Sequence, residues 1–230
     1  MPSDQISRVC WAALAALFAA ACGSEAEPPP PAATSPETRG ALETPDADPI
    51  RIVMLGDSLT AGFGLPADDA LPARLEAALG ARGLAVAIVN AGVSGDTTGG
   101  GRDRYDFSVA AAEPDWLILA LGANDYLGGK SADAAYDNLA AIIERARADG
   151  VSVMLAGVAA GGGVPGRDED FGAIYPRLAE AYDLPLYPAL LDGVRGEPGL
   201  LMEDGLHPTA AGVDVIAERM ASAVAEAIAE

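Results

Sequence analysis

Four short polar segments carry the residues of this chain that are best suited to chemistry. The first, residues 56–60 (GDSLT), follows an apolar run and offers the hydroxyl of Ser58. A serine at a strand-to-helix turn exposes both its hydroxyl and its backbone N–H, as a nucleophile requires. An Asp-Ser pair at the start of a helix is also a common N-cap, so this segment alone leaves both interpretations open. The residues around Ser58 differ from the Gly-x-Ser-x-Gly turn of the α/β-hydrolases.

Two further segments offer hydrogen-bond donors. Residues 90–98 (NAGVSGDTT) contain Gly95, and a glycine lets its backbone N–H approach a developing oxyanion closely. Residues 122–125 (GAND) contain Asn124, whose side-chain amide can donate to the same negative charge. Glycine and asparagine are also ordinary turn residues, so each segment taken alone is equally compatible with a simple turn.

The fourth segment, residues 204–208 (DGLHP), contains His207, which is the one histidine of the chain. Asp204 precedes it by three residues, so its carboxylate can accept from one imidazole nitrogen while the other nitrogen faces a serine. A lone histidine is usually a surface residue or a core residue with satisfied hydrogen bonds. A catalytic role gains support here because all four segments follow predicted strands or fill the last loop of one sheet.

Composition excludes several other classes of function. The chain has 14 Lys+Arg and 34 Asp+Glu, and this net charge of −20 repels phosphate backbones, so we expect no nucleic-acid partner. Its two cysteines, Cys10 and Cys22, lie at the N-terminus and leave no thiolate site in the rest of the chain. With a single histidine as well, we expect no metal and no other cofactor. Residues 129–131 (GKS) lack the glycine spacing of a phosphate-binding loop.

Alternating strands and helices are predicted to position the four segments. Nearly continuous apolar runs, typical of strands buried on both faces, occur at Ile50–Leu55, Ala85–Asn90, Trp116–Leu121, Val151–Gly157 and Leu184–Tyr187. Helical patterns occupy Ala132–Asp149, Phe171–Tyr182 and Thr209–Ala229, and Pro208 is well placed to start the last of them. This alternation predicts an α/β domain over residues 50–230 in which a parallel sheet is covered by helices on both faces. Functional loops of such sheets lie beyond the carboxyl ends of the strands.

The first 49 residues are predicted to be a targeting signal followed by a linker. Residues 9–21 (VCWAALAALFAAA) match the apolar region of a secretory signal, and they are too short to span a bilayer. Residues 19–23 (AAACG) resemble a bacterial lipoprotein cleavage site, which implies a signal peptide over 1–22 and a lipid-anchored Cys22. Residues 23–49 are rich in proline and acidic residues and predict a disordered linker. We therefore expect a secreted envelope protein whose membrane contact is its anchor, either periplasmic or facing the outer membrane.

The four segments together resemble the SGNH hydrolases, also called the GDSL esterase/lipase family, and most closely their bacterial thioesterase/lysophospholipase/arylesterase branch. The resemblance covers nearly all of residues 50–230, and the segments occur in the family's order and spacing. It implies a three-layer α/β/α, flavodoxin-like fold with a five-stranded parallel sheet.

The resemblance also implies a role for each of the five candidate residues. Ser58 is expected to be the nucleophile, His207 the general base and Asp204 its orienting partner. Ser58 N–H, Gly95 N–H and the Asn124 amide are expected to form the oxyanion hole. The implied reaction is hydrolysis of a small ester or thioester through an acyl-enzyme.

Two departures from the family pattern bear on the expected substrate, and two alternative functions are also compatible with the sequence. The loop 159–170 begins with Ala-Ala-Gly-Gly-Gly where relatives of this branch tend to have a proline-containing substrate loop, and residues 99–101 (GGG) are unusually rich in glycine, so acyl-chain preference stays open. One alternative is an esterase for acetyl groups on extracellular carbohydrate, for which Phe63, Trp116 and Tyr126 could stack on sugars. Another is a tethered lipoprotein that binds a ligand without catalysis.

Overall fold

The computed structural model describes residues 48–158 and 166–230. The predicted signal peptide (1–22), nearly all of the predicted linker (23–49) and residues 159–165 of the departing loop lie outside the described residues. Residues from Asp46 to Glu230 form one compact unit. Within the described ranges, none of the helices is long and apolar enough to cross a bilayer.

A five-stranded parallel sheet forms the centre of this unit, as predicted. Its strands are β1 (Ile50–Gly56), β2 (Val86–Gly92), β3 (Trp116–Ala120), β4 (Ser152–Ala156) and β5 (Leu186–Tyr187). They are arranged in the order β2-β1-β3-β4-β5. Because the chain first moves outward from β1 to β2 and then crosses to β3, the loops after β1, β2 and β3 meet at one edge of the sheet.

Helices cover both faces of the sheet and give the three-layer α/β/α architecture. They are α1 (Ser58–Ala61), α2 (Leu71–Ala81), α3 (Thr98–Asp103), α4 (Tyr105–Ser108), α5 (Ala123–Leu127), α6 (Ala132–Ala148), α7 (Arg167–Gly172), α8 (Ile174–Tyr182) and α9 (Ala210–Ala229). Successive side chains of a strand point to opposite faces. Accordingly Ile52 and Met54 pack with residues of α2 and α9, whereas Val53 and Leu55 pack with residues of α6 and α8.

The helix predicted over Phe171–Tyr182 is wrong as a single element, because the structure has two helices there. The backbone hydrogen bonds Ala173 N to Glu169 O and Arg177 N to Ala173 O are present. Pro176 has no N–H to donate to Gly172, so the regular ladder is interrupted at that point. Helix α7 therefore ends at Gly172 and α8 begins at Ile174.

The start of the closing helix also differs from the prediction. Pro208 does not begin α9 but lies before its N-cap, where it forms an isolated antiparallel bridge with Leu201. Thr209 is the N-cap, and its hydroxyl accepts from Gly212 N at 3.3 Å. A threonine hydroxyl satisfies a free N–H of the first turn, which proline at that place cannot do. This bridge folds residues 200–208 back beside the start of α9.

Candidate active site

Ser58 lies at the turn between β1 and α1. Asp57 is the N-cap of α1, and its Oδ1 accepts from Leu59 N at 3.0 Å. The two sequence interpretations are therefore compatible, because Asp57 caps the helix and Ser58 at the first helical position keeps its hydroxyl available. A Cβ at Gly56 would lie 2.0 Å from Thr60 Oγ1, so the tight turn requires glycine there.

A continuous chain of hydrogen bonds joins Ser58, His207 and Asp204. His207 Nε2 lies 2.8 Å from Ser58 Oγ, across 149 residues of sequence. His207 Nδ1 lies 2.6 Å from Asp204 Oδ2. The other carboxylate oxygen, Oδ1, accepts from the backbone N–H of Leu206 at 2.9 Å and of His207 at 3.0 Å. The structure thus brings together the three residues that the sequence had singled out as a proton-transfer chain.

The ionised carboxylate of Asp204 determines which ring nitrogen of the neutral His207 imidazole carries the proton. The backbone N–H of His207, its ring and the backbone N–H of Leu206 lower the pKa of Asp204 to about 2. An ionised carboxylate only accepts hydrogen bonds, so Nδ1 must donate to Asp204. Nε2 is then left as the acceptor for the Ser58 hydroxyl proton, which is the tautomer that a general base needs.

Phe63 covers one face of the His207 ring. The two ring centroids are 4.4 Å apart and the planes are inclined by 32°. Gly62 has a φ of 77°, a conformation that favours glycine, and it turns the chain so that Phe63 N donates to Ser58 O at 3.0 Å. The turn that ends α1 therefore places an aromatic ring against the imidazole, a contact that the sequence analysis did not predict.

The two predicted oxyanion donors lie in the same cavity as Ser58 and His207. Gly95 follows β2 and has a φ of 82°, which a glycine adopts without strain. Asn124 belongs to α5, and its Nδ2 donates to the backbone carbonyl of Asp96 at 2.8 Å. A primary amide has two N–H bonds, so this contact orients Asn124 and leaves its second N–H for a ligand.

An ion pair missed by the sequence analysis supports these donors. Arg104 Nε lies 2.7 Å from Asp96 Oδ2, and the two side chains are only 19% and 12% exposed. Arg104 Nη2 also donates to the carbonyl of Gly56 at 3.0 Å. Arg104 thereby links the end of β1, which leads into Ser58, to the loop that contains Gly95 and the Asp96 carbonyl that orients Asn124.

A second buried contact fixes the start of α5 against α3. Asp125 accepts from both the backbone N–H and the hydroxyl of Thr98, each at 2.8 Å. Asn138 of α6 donates in turn to the Thr98 hydroxyl at 3.1 Å. Thr98 and Asp125 are 0% and 2% exposed, so these hydrogen bonds replace water for a buried carboxylate. The position of Asn124 therefore depends on residues from two other helices.

Asp57 has an unusual environment beneath the serine. Its side chain is 1% exposed, and its Oδ2 has no hydrogen-bond partner in the described structure. Burial raises the pKa of Asp57 to about 6, although the Leu59 N–H and His207 act in the opposite direction. A carboxyl group that titrates in this range lies directly next to the candidate nucleophile.

One cavity of about 490 Å³ contains all the candidate groups except the carboxylate of Asp204. Much of its lining is apolar or aromatic and comes from Leu59, Phe63, Tyr126, Leu127, Val158, Phe171, Tyr175, Leu191 and Leu206. Such a lining suits the apolar part of an ester or thioester. Among the described residues, no group of three His, Cys, Asp or Glu side chains could hold a metal ion.

Comparison with known proteins places the chain in a family. Residues 54–215 match the GDSL-like lipase/acylhydrolase family. The chain is 36% identical over 172 residues to an arylesterase of Vibrio mimicus, covering 74% of this chain and 86% of that protein. It is 33% identical to thioesterase 1/protease 1/lysophospholipase L1 of Escherichia coli K12, covering 74% of this chain and 81% of that protein.

Solved structures give the same result. The crystal structure of AlinE4, an SGNH-hydrolase family esterase, is 39% identical and has a TM-score of 0.67, covering 79% of this chain and 98% of that one. The crystal structure of TesA is 32% identical and has a TM-score of 0.72, covering 76% and 97% of the two chains. The chain therefore belongs to the GDSL-like lipase/acylhydrolase family of carboxylic ester hydrolases.

Proposed function

We propose that this chain is a serine esterase that hydrolyses carboxylic ester or thioester bonds with Ser58 as nucleophile. The observation that carries the proposal is the unbroken chain from Asp204 Oδ2 through both ring nitrogens of His207 to Ser58 Oγ, with links of 2.6 and 2.8 Å. Both distances are within the range for direct proton transfer between a nucleophile and its base.

Acylation begins when the Ser58 hydroxyl attacks the substrate carbonyl and gives its proton to His207 Nε2. The imidazolium that forms is stabilised by the Asp204 carboxylate at Nδ1. As the tetrahedral intermediate collapses, His207 returns the proton to the leaving oxygen or sulfur. The carbonyl carbon stays bonded to Ser58 Oγ as an acyl-enzyme.

Negative charge on the former carbonyl oxygen needs donors that are already in place. We assign this role to the backbone N–H of Ser58, the backbone N–H of Gly95 and the free side-chain N–H of Asn124. The hydrogen bond from Asn124 to Asp96 O supports this assignment, because it fixes the amide before any substrate binds. Donors fixed in advance stabilise a transition state without a reorganisation cost.

Deacylation reuses the same groups. Water takes the place of the leaving group, gives a proton to His207 Nε2 and attacks the acyl carbonyl. The second tetrahedral intermediate collapses with release of the carboxylic acid, and Ser58 regains its proton from His207. Apart from this water and the substrate, these steps use groups of the chain itself.

Hydrolysis of p-nitrophenyl acetate by Ser58→Ala tests the nucleophile. We expect kcat to fall at least about a thousandfold, with unchanged circular dichroism, because the variant lacks the atom that forms the acyl-enzyme. Ser222→Ala, on the exposed surface of α9, is the matched control and should keep full activity. Retained turnover by Ser58→Ala would reject the assignment.

The acyl or aryl part of the substrate is proposed to lie along the apolar lining of the cavity. This lining, and the arylesterase and thioesterase/lysophospholipase names of the relatives, favour such esters over acetylated carbohydrate. Rates for p-nitrophenyl esters of increasing length, acyl-CoA, lysophospholipid and acetylated xylan test this choice. Preferential deacetylation of xylan would replace it with the carbohydrate esterase.

Secretion and lipid anchoring at Cys22 are a separate part of the proposal and are supported by sequence alone. Metabolic labelling with a palmitate analogue in a bacterial host tests the anchor. We expect labelled protein in the membrane fraction of the wild type and of Cys10→Ser, but not of Cys22→Ser. Equal labelling of the two variants, or unlabelled wild type, would reject lipidation at Cys22.

A further inference from the structure

Tyr175, the second residue of α8, lines the catalytic cavity but takes no part in the proton-transfer chain. Only 3% of the residue is exposed. Its hydroxyl donates to the backbone carbonyl of Leu121 at 2.8 Å, across 54 residues of sequence. Leu121 is completely buried and directly follows β3, so this hydrogen bond joins the start of α8 to the end of the central strand of the sheet.

The Tyr175 hydroxyl stays protonated and has a single proton to donate. Burial raises the pKa of Tyr175; the backbone N–H of Val158 acts in the opposite direction, and the carboxyl groups of Asp57 and Asp125 act in the same direction as burial. A tyrosine hydroxyl has one O–H, and the hydrogen bond to Leu121 O uses it. Tyr175 therefore holds the backbone and does not transfer a proton to a substrate.

The turn that follows Leu121 has a backbone conformation that side chains rarely adopt. Gly122 is the N-cap of α5 and has a φ of 131°, in the region that favours glycine. A Cβ at Gly122 would lie 2.4 Å from the Tyr175 hydroxyl oxygen, so this hydroxyl occupies the space beside the glycine. Tyr126 N donates to Gly122 O at 3.0 Å and thereby begins the helix. The Tyr175 hydroxyl thus packs against the residue at which α5 starts.

Asn124 is the second residue of α5, so the position of its backbone depends on the turn at Gly122. Its side chain is oriented from the loop after β2, because Nδ2 donates to Asp96 O at 2.8 Å. The hydrogen bond from Tyr175 to Leu121 O acts instead on the backbone that precedes Asn124. The amide is therefore held through its side chain from one side and through its backbone from α8.

We propose that Tyr175 is a positioning residue for the oxyanion hole, which holds the turn between β3 and α5 so that Asn124 can donate to the developing negative charge. The inference rests on the proposed function, because it connects Tyr175 to one of the proposed oxyanion donors. A displaced donor stabilises the transition state less, and a misplacement of about 1 Å can cost up to about a hundredfold in rate. Tyr175 should therefore affect kcat much more than substrate binding.

Tyr175→Phe removes the hydroxyl and keeps the ring in the cavity wall. With p-nitrophenyl acetate, we expect kcat to fall about tenfold and KM to change less than about twofold, because the lost contact acts on a donor that is used in the transition state. Rates are compared at a temperature at which circular dichroism shows all variants folded. Tyr182→Phe is the matched control, because it removes from the same helix a hydroxyl that donates to Glu144 at 2.7 Å. This control should keep the wild-type kcat.

A double-mutant cycle tests whether Tyr175 acts through Asn124. In the Asn124→Ala background the donor is already gone, so adding Tyr175→Phe should lower kcat by less than about twofold. A further loss of about tenfold in this background would overturn the inference. So would an unchanged kcat in Tyr175→Phe alone, or a change confined to KM.

The side-chain amide signals of Asn124 in a heteronuclear NMR spectrum give a readout that does not depend on activity. These signals are identified by their absence in Asn124→Ala. We expect them to shift in Tyr175→Phe and to stay in place in Tyr182→Phe, and unmoved signals in Tyr175→Phe would contradict the inference. An inactive wild type would instead reject the proposed function, and the NMR comparison would then still decide whether Tyr175 positions Asn124.

Discussion

The two halves of the active site are built in different ways. On the hydrolytic side, Asp204 and His207 are partly exposed, with side chains 39% and 18% accessible, and their contacts lie within four residues of one another. On the oxyanion side, Gly95 and Asn124 depend on buried contacts between elements that are distant in sequence. The comparison indicates that the Asp204–His207 pair is made locally, whereas its link to Ser58 across 149 residues and the oxyanion hole are made by the tertiary structure.

The largest effect is expected on the hydrolytic side. Asp204→Asn replaces an acceptor with an amide that cannot hold the imidazole in the required tautomer, so kcat should fall by about a thousandfold or more. Because Asp204 is exposed and its contacts are local, the melting temperature should change little. Glu203→Gln, which removes a charge from the adjacent exposed residue, should keep normal activity. A large loss of stability in Asp204→Asn would contradict the local character of this half.

Asn124→Ala should have the next largest effect. Removing one oxyanion donor typically costs on the order of 3 kcal/mol of transition-state stabilisation, which corresponds to about a hundredfold in kcat. Steady-state rates with p-nitrophenyl acetate measure the loss, and KM should change much less than kcat. Asn124→Asp provides a comparison of similar shape that has no N–H donor at all. Ordinary turnover by Asn124→Ala would remove this residue from the mechanism.

Arg104→Gln should lower kcat about tenfold because it releases Asp96, whose carbonyl orients Asn124. It should also reduce the free energy of unfolding by about 2 kcal/mol, since it leaves a mostly buried carboxylate without its partner. A double-mutant cycle sharpens the comparison. If Arg104 acts through Asn124, Asn124→Ala/Arg104→Gln should be little slower than Asn124→Ala alone. Fully additive losses in kcat would contradict positioning through this residue.

Phe63→Leu should lower kcat by about two- to fivefold. The aromatic face at 4.4 Å favours the imidazolium that forms during acylation, and such contacts contribute roughly 0.5–1 kcal/mol at accessible sites. Phe63→Tyr keeps an aromatic face against the imidazole and should retain the wild-type kcat with p-nitrophenyl acetate. An unchanged kcat in Phe63→Leu would restrict Phe63 to packing.

Asp57→Asn should change the free energy of unfolding more than the substitutions in either half of the active site do. Because the pKa of Asp57 is raised to about 6 in the folded protein, the folded state binds more protons than the unfolded state between about pH 4 and 6. Stability is therefore lost as the pH rises through this range, by up to about 3 kcal/mol. Asparagine keeps an acceptor for Leu59 N, so the variant should unfold at higher temperature than the wild type at pH 8 but not at pH 4. Equal differences at both pH values would contradict the burial of a charge.

The contrast between local and long-range contacts also explains which features of the fold and of the site can be predicted from the sequence. Five apolar runs predict the five strands, because strands buried on both faces leave a clear pattern. The local half of the site is equally visible, since Asp204 and His207 lie three residues apart in one turn. The single helix predicted over Phe171–Tyr182 is wrong because apolar periodicity continues through Pro176, whereas the backbone hydrogen bonds do not.

Other features could not be predicted because their partners come from distant parts of the chain. Arg104 lies 48 residues from the Gly56 carbonyl that it binds, and nothing in the local pattern marks it. Asp96 lies within residues 90–98, yet its role depends on an ion pair with Arg104 and on a backbone contact with Asn124. The same holds for Phe63, whose place against His207 is decided by the turn at Gly62.

Active-site labelling with a fluorophosphonate probe, followed by peptide mass spectrometry, tests the central claim most directly. The probe forms a bond to a serine oxygen only where a neighbouring base takes up the proton. We predict one labelled residue, Ser58, with labelling strongly slowed in His207→Gln and absent in Ser58→Ala. Folded wild-type protein that is not labelled, or labelling that persists in Ser58→Ala, would contradict the account.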